Sequence, residues 1–123
     1  MARNWTFVGA VLGGLAVAQG AFGAHALKDR LSTDALGWWQ TGAQYQLAHA
    51  LALVLVGLTA SRAPSRKLAL AGWAFTSGVV LFSGSLCALA LTDARWLGAI
   101  TPVGGLLLLA GWAALAASSM SRA

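Results

Sequence analysis

The sequence predicts an all-α integral membrane protein, folded as a four-helix bundle in a single domain. Three observations predict this class: long apolar stretches, few charges, and cations placed at the ends of the stretches. Of the 123 residues, 59 % are hydrophobic and 9 % are charged, whereas about a quarter are charged in soluble domains. Because a spanning helix needs roughly 20 apolar residues, we expect one domain, 1–123, with helices at about 5–27, 33–60, 68–91 and 96–117.

The first predicted helix carries a face of small residues. At 100° per residue, Gly9, Gly13 and Gly20 lie on one side of it. Membrane helices associate where small residues let their backbones approach closely. We therefore expect these three glycines to be helix-packing positions, together with Gly84 and Gly105 in the later helices.

The second predicted helix begins before the membrane, because Ser32 or Thr33 can cap it. Its leucines and its polar residues fall on different sides of the helix. We expect the polar side chains of one face to point into the bundle: Tyr45, Gln46 and His49.

The third and fourth predicted helices hold fewer polar groups. Ser83 and Ser85 come late in the third helix, and Thr101 comes early in the fourth. Pro102 lacks an amide hydrogen, so the carbonyl of Gly98 would lose its helical partner. In a membrane such a carbonyl oxygen must instead be satisfied by a side chain, a water molecule or an ion.

The cations predict how the chain crosses the membrane. Cytoplasmic loops carry an excess of Lys and Arg. The two termini and the second loop hold five cations and no acid, whereas the opposite loops balance three cations with three acids. We therefore expect both termini in the cytoplasm. Separately, we expect a multi-pass protein of a bacterial plasma membrane. Nucleic acid is not an expected partner, because its binding needs a basic patch on a domain face. The five cations are Arg3, Arg62, Arg66, Lys67 and Arg122.

The polar residues of the helices gather in the half of the membrane away from the termini. They come late in the helices that run outward and early in those that run inward. A pore or carrier needs polar groups through the membrane or near its midplane, so we expect an outer-leaflet pocket above an apolar floor. The central contacts would be His49 and Tyr45, with His25 at the mouth. The candidate ligand-binding residues are His49, Tyr45, Gln46, Gln19, His25, Ser83, Ser85 and Thr101.

The chemistry of these residues favours binding over catalysis. A Ser–His–Asp triad needs an oriented base and an oxyanion site, but Asp29, Asp34 and Asp93 lie in loops. We expect no catalytic residue, no metal and no cofactor. His25 and His49 could together ligate haem or a metal, which is a weaker hypothesis because two ligands without an acid or thiolate make a poor site. His49 could also simply form a hydrogen bond to a neighbouring helix.

Ordered motifs along the whole chain resemble a known family. They are GAFGAHAL at 20–27, YQLAHAL at 45–51, FSGSL at 82–86, TPVGG at 101–105 and GW at 111–112. Together they resemble the small four-helix membrane proteins grouped as domain of unknown function 423, also called the transmembrane protein 256 family. The resemblance implies an integral membrane protein found in bacteria and eukaryotes, and it implies no established activity. Members usually have Tyr where this chain has Cys87. This chain therefore lacks the tyrosine hydroxyl, and the resemblance assigns no role to it here.

Three functions follow from these observations. The leading hypothesis is a non-enzymatic protein that binds a small molecule or a lipid in the outer-leaflet pocket. The alternative is a structural or assembly subunit, in which the polar groups only fix helix register and the glycine faces recruit a homo-oligomer or membrane-protein partner. A bis-His haem or metal protein is the third. The lipid bilayer is an expected partner in each case.

Overall fold

The computed structural model describes residues 4–120, and within that range the chain forms four long helices. Each of the four is long and apolar enough to cross a membrane, the first and the fourth together with the short turn attached to them. This confirms the predicted all-α fold of four membrane-spanning helices. The location of the termini stays a prediction, and Arg3 and Arg122, on which it partly rests, lie outside the described residues. The elements are α1 Trp5–Phe22, a π-helical turn Gly23–Leu27, α2 Thr33–Arg62, α3 Arg66–Thr92, a 3₁₀ turn Arg95–Ala99 and α4 Thr101–Met120.

Side-chain caps define where the first three helices begin. The Ser32 hydroxyl accepts a hydrogen bond from the Ala35 amide at 3.1 Å, which confirms one of the two predicted caps of α2. Asn4 caps α1 in the same way, and Ser65 caps α3. A capping oxygen satisfies one of the amides that a helix leaves unpaired at its start. The loops between the helices can therefore be short.

The fourth crossing differs from the continuous helix expected over 96–117. It starts as the 3₁₀ turn, and α4 begins afresh at Thr101. Pro102 is therefore in the first turn of α4, where an amide hydrogen is not needed. Gly98 lies before this helix and is exposed. The interrupted hydrogen bond expected at Gly98 is thus avoided by a break between two helical segments.

Each helix packs chiefly against its neighbours in sequence. The extensive pairs are α1 with α2, α2 with α3, and α3 with α4. Helices α2 and α3 are therefore central, and α1 and α4 keep broad faces open to lipid. One end of α1 also reaches α3, since Trp5 packs edge-on against Trp73 with ring centroids 5.2 Å apart.

The contact between α1 and α2 follows a heptad repeat. Buried and half-buried residues of α1 and its π-helical turn alternate in steps of four and three, and so do those of α2. This spacing is typical of helices that wind around each other with a left-handed twist. The seam of the first helix is Trp5, Gly9, Leu12, Ala16, Gln19 and Gly23. The seam of the second is Trp39, Ala43, Gln46, Ala50, Leu53 and Gly57.

The heptad seam decides which predicted glycines pack on α1. A Cβ placed on Gly9 would lie 2.6 Å from the Ala50 carbonyl oxygen, so the backbones approach very closely there. Gly13 makes an ordinary contact with the Ala50 methyl at 3.6 Å. The prediction for Gly20 was wrong: it is exposed, and no described atom lies within 4 Å of its Cβ position. The straight helical wheel missed the drift of the seam from Gly9 to Gly23.

The glycines between α3 and α4 show a similar outcome. The packing prediction for Gly84 was wrong, because it is exposed on α3 with no described atom within 4 Å of a Cβ placed on it. Gly105 makes only an ordinary contact with the Phe82 ring, at 3.7 Å. The close approach occurs instead at neighbouring small residues. The facing pairs are Phe75 with Gly111, Gly78 with Leu108, Phe82 with Gly104, and Ser85 with Thr101.

The close approach of α4 to α3 at Gly104 can be tested by adding one methyl group. In Gly104→Ala the new Cβ would collide with the backbone of Phe82, which cannot rotate away as a side chain can. Overpacking of this kind costs about 1–3 kcal/mol. We expect a lower midpoint of thermal unfolding in detergent, followed by circular dichroism. Gly84→Ala is the matched control and should leave the midpoint unchanged or slightly raised; equal effects of the two variants would contradict this packing.

Candidate functional site

His49 lies near the middle of α2 and is almost fully buried. Its Nδ1 is 2.7 Å from the Tyr45 carbonyl oxygen, and the Trp112 indole N–H donates to its Nε2 at 3.0 Å. An Nε2 that accepts a hydrogen bond leaves the ring proton on Nδ1, which then donates to the carbonyl. Both ring nitrogens are therefore satisfied within the protein. His49 could ligate haem or a metal only by giving up one of these bonds.

Aromatic rings surround the imidazole. The Tyr45 ring lies parallel to it at 6.1 Å, and the Phe75 and Trp112 rings lie at 5.6 and 5.7 Å. Tyr45 also packs on Phe82, with centroids 4.7 Å apart. We call these five residues the aromatic cluster. It joins α2, α3 and α4.

Two expectations about this cluster were wrong. Tyr45 does not point into the bundle: its side chain covers the Phe82 ring and the residue is 45 % exposed. The polar residues are not confined to the half of the molecule away from the termini either. His49 is central in α2, and its partner is Trp112 of α4. A helical wheel gives the side of a helix, but the neighbouring helices decide how much of that side they cover.

The polar side chains of α1 and α2 join these two helices. The Gln46 amide donates to the Leu12 carbonyl oxygen at 2.9 Å, and the Trp39 indole N–H donates to the Gln19 carbonyl oxygen at 2.8 Å. Both acceptors belong to the heptad seam of α1. Gln46 thus fulfils the prediction that it points inward, but its amide is already engaged. These bonds fix the register of the hairpin.

The predicted hydroxyls divide into engaged and unengaged groups. Ser85 and Thr101 share a hydrogen bond of 2.5 Å across α3 and α4. The Ser83 hydroxyl is buried without a hydrogen-bond partner within residues 4–120, and the same holds for the Gln19 side-chain oxygen. Of the eight predicted ligand-binding residues, these two contain the polar side-chain atoms that are buried and unsatisfied.

His25 stands apart from the other seven residues. It is exposed and lines a cavity of about 450 Å³ at the end of the molecule away from the termini. We call this cavity the π-turn pocket. The predicted residues thus do not share one cavity, and the sequence reasoning missed Arg30. The spacing of five residues between His25 and Arg30 was the available signal. The lining consists of Phe22, His25, Ala26, Leu27 and Arg30.

The π-helical turn begins at Gly23, where the Trp39 ring packs closely. A Cβ on Gly23 would lie 2.6 Å from the Trp39 ring, so glycine is required for the indole to fit. The same indole hydrogen-bonds the Gln19 carbonyl oxygen, one helical turn before Gly23. A π-helical turn results when the i→i+4 ladder gives way to i→i+5 bonds, and such turns often occur at functional sites. Here the turn presents His25 at the rim of the pocket.

The charged groups at this end of the molecule are at the surface. Asp93 pairs with Arg95 at 3.0 Å, and both side chains are about 70 % exposed (70 % and 73 %). Asp29 and Asp34 are exposed as well. Among the described residues, no group of three or more His, Cys, Asp or Glu is placed to hold a metal ion.

Comparison with known proteins gives one consistent result. Residues 19–105 match a family described as protein of unknown function (DUF423). The chain is 45 % identical over 121 residues to a UPF0382 membrane protein of Staphylococcus epidermidis, covering 98 % of each chain. It is 41 % identical to the UPF0382 membrane protein YwdK of Bacillus subtilis, over 89 % of this chain and 90 % of that one. A UPF0382 membrane protein of Haemophilus influenzae is also 41 % identical, over 97 % and 95 %. No solved structure gives a significant match.

A double-mutant cycle would measure the bond between His49 and Trp112. We expect His49→Leu and Trp112→Phe each to lower the free energy of unfolding in detergent, because each leaves a polar group without its partner. The double variant should lose less than the sum of the two. The coupling should be about 0.6 kcal/mol and at most about 1.7 kcal/mol, the range found between membrane helices. Trp96→Phe, at a 68 % exposed position, is the control and should show no coupling free energy with His49→Leu. If the cycle of His49→Leu with Trp112→Phe also shows no coupling free energy, the structure is contradicted.

Proposed function

This chain belongs to the DUF423 family, and from that premise we propose that it is a non-enzymatic membrane protein that binds a lipid headgroup in the π-turn pocket. The supporting observation is a cavity of about 450 Å³ in which Arg30 and His25 stand beside Phe22 and Leu27. This volume falls in the range of small-molecule sites, about 300–1,000 Å³. The pocket keeps the predicted location away from the termini. Its central residues are now Arg30 and His25 in place of His49 and Tyr45.

The lining of the π-turn pocket matches the two parts of a phospholipid. Phe22 is 52 % exposed on the lipid-facing side of α1, so it offers an apolar contact to an acyl chain. Arg30 follows the π-helical turn in the loop, where the chain leaves the membrane. A guanidinium binds phosphate through two parallel hydrogen bonds. The expected ligand therefore carries an anionic phosphate at the level of Arg30.

The neighbouring charges leave Arg30 available to an anion. The ion pair found within residues 4–120 joins Asp93 to Arg95. The Arg95 guanidinium also lies over the Trp38 ring, at 5.2 Å from its centroid. Trp and Arg in this arrangement are typical of the membrane interface. This supports a headgroup position for the pocket.

The arrangement of reactive groups supports binding in place of catalysis. His49 has both nitrogens engaged, and Asp29, Asp34 and Asp93 are exposed. A catalytic base needs a positioned proton acceptor next to the substrate. We propose the bacterial plasma membrane as the location, because the relatives come from bacteria and are named membrane proteins.

An assembly role is the second candidate function. The bonds of Gln46, His49 and Ser85 join helices and need no ligand. Gly14 is exposed on α1 and has no described atom within 4 Å of a Cβ placed on it. A second membrane protein could approach α1 closely at such a residue. Under this role, changes in the π-turn pocket would not alter lipid binding.

Lipid titration of the purified full chain tests the π-turn pocket. We expect native mass spectrometry to show tighter binding of short-chain phosphatidylglycerol than of phosphatidylcholine. Arg30→Gln should weaken phosphatidylglycerol binding about tenfold, which corresponds to about 1.4 kcal/mol for a charge-assisted hydrogen bond. Soluble glycerol phosphate should compete weakly, because it lacks the acyl chains that would contact Phe22.

The matched control is Lys28→Gln, which removes the same charge from the same loop. Lys28 does not line the cavity, so its loss should change affinity by less than about twofold, as expected for a solvent-screened charge. If Arg30→Gln and Lys28→Gln weaken phosphatidylglycerol binding equally, the loss reflects general charge attraction and not a contact in the π-turn pocket. No weakening by Arg30→Gln would overturn the proposal, and a dimeric mass that persists in every variant would favour the assembly role.

A further inference from the structure

A second cavity, of about 540 Å³, opens between α2 and α4 in the half of the molecule that carries the termini. We call it the terminal groove. Helix α2 packs on α1 and α3, helix α4 packs on α3, and α2 and α4 have little contact with each other, so a lateral opening to lipid remains between them. The groove is independent of the π-turn pocket, and the inference below does not rest on the proposed function. Its lining residues are Thr59, Trp112, Leu115, Ala116, Ser118 and Ser119.

The polar groups along the terminal groove are largely satisfied within the protein. The Thr59 hydroxyl donates to the Leu55 carbonyl oxygen at 2.8 Å, and the Ser118 hydroxyl donates to the Leu115 carbonyl oxygen at 2.7 Å. The Trp112 indole N–H is held by His49. The groove therefore presents mainly methyl groups, methylene groups and an aromatic ring. Such a surface suits an apolar occupant.

The length of the terminal groove selects among apolar occupants. Its lining on α4 runs from Trp112 to Ser119, which is about 10 Å at 1.5 Å per residue. The lining begins at Trp112, which is bonded to His49 near the middle of α2. A partner's spanning helix would need a surface of about 30 Å, the thickness of the hydrocarbon core. The groove is confined to one leaflet, as an acyl chain is.

Charge at the mouth of the terminal groove indicates which lipid would fit. Arg62 follows Thr59 by three residues and so lies on the same face of α2. It is exposed at the last position of the helix, and Arg66 and Lys67 begin α3 close by in sequence. A phosphate at the end of a chain seated beside Thr59 would therefore meet a guanidinium.

We propose that the terminal groove binds an anionic phospholipid from the leaflet at the end of the molecule that carries the termini. One acyl chain lies between α2 and α4, against Ala116 and Leu115, and the phosphate lies near Arg62. The Trp112 indole, fixed by its bond to His49, forms the floor on which the chain ends. The aromatic cluster thus acts as a positioning element for a lipid site.

Photocrosslinking in nanodiscs tests this site on the full chain. The probe is phosphatidylglycerol with a diazirine on one acyl chain, and the labelled peptides are mapped by mass spectrometry. We expect labelling of the segment 112–119 and its loss in Ala116→Phe, because the ring fills the groove. Ala113→Phe is the matched control: Ala113 is exposed on α4 but does not line the cavity, so labelling should persist.

The headgroup contact needs a second comparison. We expect Arg62→Gln to remove the preference of the labelled segment for phosphatidylglycerol over phosphatidylcholine, while Arg66→Gln retains it. Unchanged circular dichroism and elution volume show that each variant is folded. Labelling spread evenly around α4, or labelling that Ala116→Phe does not reduce, would overturn the proposal. Equal labelling by phosphatidylglycerol and phosphatidylcholine in the unmodified chain would overturn the proposed contact between the phosphate and Arg62.

Discussion

Close approach between helix backbones is the constraint on which this fold depends. Lipid tails are as apolar as leucine, so burying side chains supplies little force to bring membrane helices together. Gly9 lets α1 meet the Ala50 carbonyl, and Gly104 lets α4 meet the backbone of Phe82. These contacts bring dispersion attraction over the full length of each pair. They also bring side-chain donors within reach of carbonyl oxygens on the neighbouring helix.

The interhelical hydrogen bonds depend on the same geometry. Gln46 reaches a carbonyl of α1 from a seam position of α2, and Ser85 reaches Thr101 from a seam position of α3. In a medium without water an unmet donor is costly, so each bond favours one register of its helix pair. The polar residues thus fix the alignment that the glycines make possible. Most of them are therefore engaged within the bundle. The π-turn pocket lies at one end, and the terminal groove begins at the bonded Trp112 and runs toward the other.

The sequence predicted the helices and the fold class because length and apolarity alone determine which segments can span a bilayer. It predicted the Ser32 cap because capping is a local interaction. It failed at Gly20, since a straight 3.6-residue wheel does not include the drift of a heptad seam. It failed at Gly84 because that residue lies on the exposed face of α3 with Ser77 and Val80. The bond between His49 and Trp112 joins residues 63 positions apart, so it depends on how two helices rotate against a third. The π-helical turn begins at Gly23, beside the Trp39 ring, and no pattern within α1 reveals that contact.

The nearest-neighbour order of the helices has a consequence for biogenesis. Domains generally fold as units during synthesis, beginning at the N-terminus, and contacts between segments close in sequence form fastest. When each crossing after the first enters the membrane, the helix before it in the sequence is already there to pack against. The first hairpin can assemble while the ribosome is still making the second. The last crossing completes the bundle, because it brings Trp112 to His49 and Thr101 to Ser85.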